Sequence, residues 1–407
     1  VNKIKLLILF LIIGVGLTPS LFITRGTVNF PLGNIRAYIT PIYLYRYVNT
    51  ITEYGIPESP YDVTHPPSLN ILYGIMSWLS SSDPLFTLYS VPFLLVILLT
   101  GGIYLFIYQI SKRRDMAIIG CIVGSWVLSG TNLARWPCAA DSAYIIYALN
   151  PFVFYIFHEL GKKRETKVSN VFYAFILCLM WALSLQVAFA LNREWSELET
   201  YTLTNPYMTF YQLLLIFSLI ACFFASSRSP DFSIPFVVNI CLVSMHTLSG
   251  LSTAFFATIY LTFLKINEAN HIISRCFQYG LQGLTFAYIT LQKIGVLKMP
   301  AMNFLSQLLF LRPVTGYDVF NYKFQHFEAG VGEITLIFFL LGMILLFLSN
   351  NKVDRTIATT VCIVLFVYFL SEFWSYRVID ILGLFISYCI AKAIYEIASS
   401  KLKYALR

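Results

Sequence analysis

The sequence predicts an all-α fold, a polytopic transmembrane helical bundle of about 12 spans, and three observations predict it. Only 12% of the 407 residues are charged, while 58% are apolar and 17% aromatic, with a mean hydropathy of +0.72. Soluble chains carry roughly a quarter charged residues, so this chain cannot clothe a core for water. Apolar runs close to the ~20 residues that cross a bilayer recur along its length. These runs are continuous rather than alternating, whereas the strands of a membrane barrel alternate with a period of two. The predicted spans fall at 6–24, 84–111, 116–131, 143–160, 170–192, 207–225, 232–246, 249–265, 276–294, 331–349, 356–374 and 378–396, within a single integral membrane domain over 1–407.

Taken in order, Asn2, Lys3 and Lys5 precede the run Leu6–Ile23. That run is too long for a signal-peptide core and lacks a small-x-small cleavage site, so it reads as an uncleaved first membrane helix. A loop over 24–83 follows, far longer than the usual connection between packed helices. Within it Ile35–Tyr54 carries aliphatic and aromatic residues with Arg36 and Arg46 at helical spacing. It reads as an interfacial helix, or as one whose arginines hold a lipid phosphate in their planar fork. The stretch 68–80 is apolar but too short to span, and reads as an amphipathic helix on the outer surface.

The remaining spans are ordered by their bases. Counted by alternate loops, seventeen Lys and Arg fall on one side, including Lys112, Arg113, Arg114, Lys162, Lys163, Arg164, Lys265, Arg275, Lys352 and Arg355, and nine on the other. The positive-inside rule then makes both termini cytoplasmic and puts the long loops 24–83 and 295–330 on the extracytoplasmic face. The net charge of +8 does not indicate nucleic acid, because the bases lie between apolar runs rather than on one patch. No GxxxxGK or GxGxxG occurs, which argues against a nucleotide-driven pump. The eight cysteines are scattered without CxxC spacing, so neither a disulfide framework nor a zinc site is indicated.

The polar residues that need explaining lie on the predicted outer face. Residues 53–67 hold Glu53, Glu58, Asp62 and His65 among four prolines. They read either as a structured turn with solvated acids or as a carboxylate with its imidazole, able to act as a general base. Arg135 and Asp141 share the short loop 131–142, where Asp141 suits a helix N-terminus or a catalytic acid. Glu194, Glu197 and Glu199 form either a solvated loop or a divalent-cation site. His246 lies near an outer helix end, as a satisfied core residue or a ligand-binding one. Arg377, close to Glu372 and Asp380 at the outer boundary, pairs with Asp380 or with a phosphate.

One helix, a long external loop opening on an interfacial helix, then Gly55-x-Pro57, Ser59-Pro60-Tyr61-Asp62 and His65-Pro66-Pro67, a short amphipathic helix and a span ending in Ser111-Lys112-Arg113-Arg114: this order resembles the polytopic GT-C glycosyltransferases. The group includes polyprenyl-phosphate-mannose mannosyltransferases, protein O-mannosyltransferases, lipid A aminoarabinose transferases and the oligosaccharyltransferase catalytic subunit. The resemblance covers residues 1–160, with echoes at His246 and in the last hairpin, where Arg377 stands where such enzymes often place an arginine near the donor phosphate.

The resemblance implies transfer of a sugar from a polyprenyl-phosphate donor to a lipid, glycan or protein acceptor on the extracytoplasmic face. An external-loop carboxylate would be the general base, with His65, Arg36, Arg46, Arg135, His246 and Arg377 binding substrate. No resident cofactor is implied, although the pyrophosphate-using branch of the group employs a divalent cation. Members usually carry the key acid soon after the first helix, yet Thr24–Thr52 contains no Asp or Glu. Asp62 and Asp141 rank first for that role, ahead of Glu58 and Glu53. The competing readings are a non-catalytic subunit of the same architecture, which the missing acid favours, and a lipid or sugar flippase, which predicts inverted repeats and midplane charges.

Overall fold

A computed structural model describes residues 75–81, 84–124, 142–195, 220, 230–269, 271–294, 324–325, 327, 331–370 and 375–405. Every extended element among them is helical: α1 (Pro84–Ser111), α2 (Arg114–Ile122), α3 (Ser142–Lys162), α4 (Val168–Trp195), α5 (Pro230–Met245), α6 (Thr247–Ala269), α7 (His271–Lys293), α8 (Glu333–Leu348), α9 (Lys352–Leu370) and α10 (Ser375–Ala405). The all-α class is therefore found, with no strand among the described residues. The apolar runs expected at 84–111, 143–160, 170–192, 232–246, 249–265, 276–294, 331–349, 356–374 and 378–396 each coincide with one of these helices. The run at 116–131 is described only as far as 124, where α2 ends in a wider π turn. The runs at 6–24 and 207–225 lie outside the described residues, Ile220 excepted.

Local chemistry sets the boundaries. Proline opens α1 and α5, where its missing N–H is no loss. Between α1 and α2 the backbone reverses at Lys112, which takes φ 57° while its N–H still reaches the Tyr108 carbonyl at 2.8 Å. Asn351 caps α9, its Oδ1 accepting the Val353 N–H at 3.0 Å.

Helices α6 and α10 form the centre. α6 packs against α3, α5, α9 and α4, and α10 against α8, α9 and α2. At their junction Phe106 of α1, Phe154 of α3, Tyr260 of α6 and Phe385 of α10 form one buried aromatic cluster, with Phe154 and Phe385 edge to face at 5.0 Å. Among the described residues, these two central helices hold the segments that by length and composition suffice to cross a membrane, Ser249–Ala269 and Ile381–Ser400.

Apolar side chains lie on the outside of the described helices as well as in the core. Ile334, Ile337 and Leu348 of α8 are 73%, 67% and 74% exposed. On α7, Phe277, Tyr279, Leu284 and Phe286 face outward while Gln278, Gln282 and Thr285 are buried against α9. Soluble domains rarely expose apolar surface so continuously. Helices surrounded by lipid do, and use buried Gln, Thr and Asn to join one another. In the described part of the expected surface helix 68–80, residues 75–80 are helical, with Trp78 71% exposed.

The basic loops meet at one end of the bundle. Lys265 donates to the Lys163 carbonyl at 2.5 Å, and Arg275 to Asn350 Oδ1 at 2.7 Å. Lys112 donates to Gln109 at 2.6 Å, and Gln109 to Glu159 of α3. Arg113 lies 4.8 Å from the centre of the Tyr395 ring. Loops far apart in sequence and grouped by charge alone thus share one end.

Candidate functional site

Where a long helix has one terminus in a basic loop, its other terminus falls at the opposite end of the bundle. α1 ends at the basic end, so its first residue, Pro84, lies opposite, at the exit of the first long loop. By the same alternation Ser142, next to Asp141, begins α3 at the opposite end, and α4 delivers Trp195 there. His246 joins α5 to α6 at this end, and α10 starts from it at Ser375. The helix termini bordering the segments that carry the candidate acids therefore collect at the end away from the bases. Glu53, Glu58, Asp62, His65, Arg36, Arg46, Arg135 and Asp141 themselves lie outside the described residues. Arg377 is the third residue of α10, and its side chain lies outside the described set.

His246 is the candidate whose side chain is described. It is the single non-helical residue between α5 and α6, and it is buried. Its N–H donates to the Leu242 carbonyl at 3.1 Å, completing α5, and its carbonyl accepts the Gly250 N–H at 2.8 Å, starting α6. Its Nδ1 accepts the Ser249 N–H at 3.1 Å, a bond from the cap position to the third residue of the helix. An accepting Nδ1 places the proton of the neutral ring on Nε2. The elbow is tight because Gly250 lies against the Leu242–Val243 backbone, where an added Cβ would come within 2.5 Å of the Val243 nitrogen.

Below the elbow the bundle is crossed by polar pairs. Thr253 donates to Asn150 Oδ1 at 2.7 Å, joining α6 to α3. His158 Nδ1 and the Tyr260 hydroxyl lie 2.8 Å apart between the same two helices. At the basic end Asn267 donates to Thr356 Oγ1 at 2.8 Å. There the buried Asp354 accepts from the Tyr388 hydroxyl at 2.6 Å and from Ser349 Oγ at 2.7 Å, with Lys392 Nζ at 3.5 Å.

Sequence reasoning did not single out this last cluster. Its signal was present, since Tyr388, Lys392 and Glu396 recur at intervals of four along one helix face. Among the described residues no three His, Cys, Asp or Glu side chains converge as a metal site. The acids considered for a divalent cation, Glu194, Glu197 and Glu199, lie outside the described side chains. In comparisons with known proteins no family model matches the chain, and no curated protein matches it.

Proposed function

We propose that the protein is a multi-pass membrane glycosyltransferase of GT-C type. It moves a sugar from a polyprenyl-phosphate donor to a lipid, glycan or protein acceptor on the extracytoplasmic face, and both of its termini are cytoplasmic. About twelve spans form the bundle. The observation that carries this reading is the division of the molecule into two ends: basic loops gather at one, and the termini bordering the acid-bearing segments gather at the other. The outward apolar faces of α7 and α8 support the membrane setting.

In this reading Asp62 or Asp141 takes the proton of the acceptor hydroxyl as its oxygen attacks the anomeric carbon. The bond from that carbon to the phosphate oxygen breaks, and the polyprenyl phosphate leaves with the electron pair. Arg377, at the outer end of α10, neutralises the phosphate as its charge grows. The donor's tail remains in lipid, which explains an anion site at a membrane boundary. Glu53 and Glu58 are the reserve bases. His65, Arg36, Arg46 and Arg135 bind substrate at the rim.

The test is sugar transfer from a polyprenyl-phosphate donor in membranes, with Asp62→Asn and Asp141→Asn made separately. Loss of general-base catalysis lowers the rate about 10²–10⁴-fold, and one of the two variants is expected to show it. Unchanged transfer in both overturns the assignment of the base. The absence of Asp and Glu from Thr24–Thr52 favours a second reading, a non-catalytic subunit of the same architecture. It predicts no transfer by the parent protein with any sugar donor.

A further inference from the structure

Helix α10 runs unbroken from Ser375 to Ala405, so whatever fixes its height at one point fixes it throughout. It is gripped on three sides over a short segment, 387–392. From α8, Gly342 approaches the Cys389 backbone so closely that an added Cβ would overlap its carbonyl and lie 3.0 Å from its Cα. From the α2 side, a Cβ at Gly124 would lie 2.9 Å from Ser387 Oγ, and one at Gly120 3.5 Å from Ala391 Cβ. From α9, Asp354 holds Tyr388 and Lys392, while Lys392 also reaches Glu396 at 3.3 Å.

The polar part of this grip differs in kind from the rest. Apolar helix faces tolerate sliding, because one set of weak contacts is exchanged for another of similar worth. A buried carboxylate with a hydroxyl and an ammonium on a single neighbouring helix does not. Sliding α10 by a turn either carries Glu396 to the place of Lys392, setting one carboxylate beside another, or carries Leu384 to the place of Tyr388 and draws the ammonium away from Asp354, which is 1% exposed. Such pairs add little net stability, and their best-attested use is to select one register.

We propose that the Asp354–Tyr388–Lys392 cluster is an axial stop for α10, a positioning device that sets the height at which the helix presents Arg377 to an anionic headgroup at the opposite membrane boundary. Arg377 precedes Lys392 by fifteen residues, about 22 Å of helix, so the stop acts from the far end of the rod. The stop rests on the described geometry, and the headgroup rests on the glycosyltransferase reading.

The experiment separates the two. In the full-length protein in membranes, Ser375→Cys reports the height of the outer end of α10 by its rate of modification with a charged, membrane-impermeant maleimide, quantified on the peptide that contains residue 375. Lys392→Met and Asp354→Asn are expected to change that rate several-fold and to raise the KM for the donor with kcat retained. Lys392→Arg, which keeps the cation, is expected to leave both at the parent values. Tyr388→Phe removes one hydrogen bond without stranding a charge, and decides the matter if the charge variants are not recovered folded. Labelling at the parent rate in every recovered variant overturns the stop. Altered labelling with no sugar transfer by the parent upholds the stop and overturns its use in glycosyl transfer.

Discussion

At the scale of single residues, the local hydrogen-bond pattern of His246 accounts for its position independently of any substrate. The imidazole caps α6 from the elbow, and losing such a cap costs about 0.5–2 kcal/mol. Asparagine also offers a side-chain acceptor and is among the favoured cap residues, so capping and substrate binding can be separated. His246→Ala is expected to lower the melting temperature of the purified protein by a few degrees, and His246→Asn to restore most of it. If His246 also contacts substrate, the Asn variant stays stable and loses transfer. Equal transfer by the Asn variant and the parent reduces the residue to its cap. The sequence placed His246 near an outer helix end, between the apolar runs 232–246 and 249–265, without its cap role. The identity of the bond it accepts required the turn itself.

At the scale of elements, two glycines of similar sequence context differ because of what lies opposite them. Gly250 stands in the α5–α6 hairpin with the Leu242–Val243 backbone against it, and backbone cannot move aside as a side chain can. Gly280 stands on the outward side of α7 with no atom within 4 Å of an added Cβ. Gly250→Ala is therefore expected to destabilise the protein by about 1–3 kcal/mol, the usual range for overpacking. Gly280→Ala is expected to stabilise it by about 0.5–1 kcal/mol through the stiffer helix. Thermal unfolding followed by circular dichroism in one detergent reads both, and a destabilised Gly280→Ala would show that this face of α7 is covered. The helices were legible because length and apolar continuity are local properties, and most observed ends fall within about five residues of the apolar runs, although α10 runs on from 396 to Ala405. Which helix touches which was not, since α8 is apolar on every face and the spacing of polar residues on α10 does not name the helix they meet.

At the scale of the whole molecule, the apolar outer faces of α7 and α8 bear on which solvent the bundle fits. Ile337 is 67% exposed, about one turn from the middle of α8. In a water-soluble protein, lysine there would be neutral or helpful. In lipid, a lysine near the centre of a span costs about 2.5–3.5 kcal/mol on insertion scales. Ile337→Lys is expected to reduce recovery in the membrane fraction and to shift the protein toward aggregates, as measured by carbonate extraction and size-exclusion chromatography. Normal recovery would place that face against water or a polar partner. By itself the sequence determined the helical class, the places where most described helices begin and end, and the partition of charge between two ends, because each follows from composition and order along the chain. Only the tertiary structure decided that His158 meets Tyr260, 102 residues away, or that Asp354 is closed by Tyr388 and Lys392. The physical reason is that a buried polar group can be satisfied only by whichever residue the packing brings within hydrogen-bond reach, and in a chain this uniformly apolar many registers bury equal area while very few pair the charges.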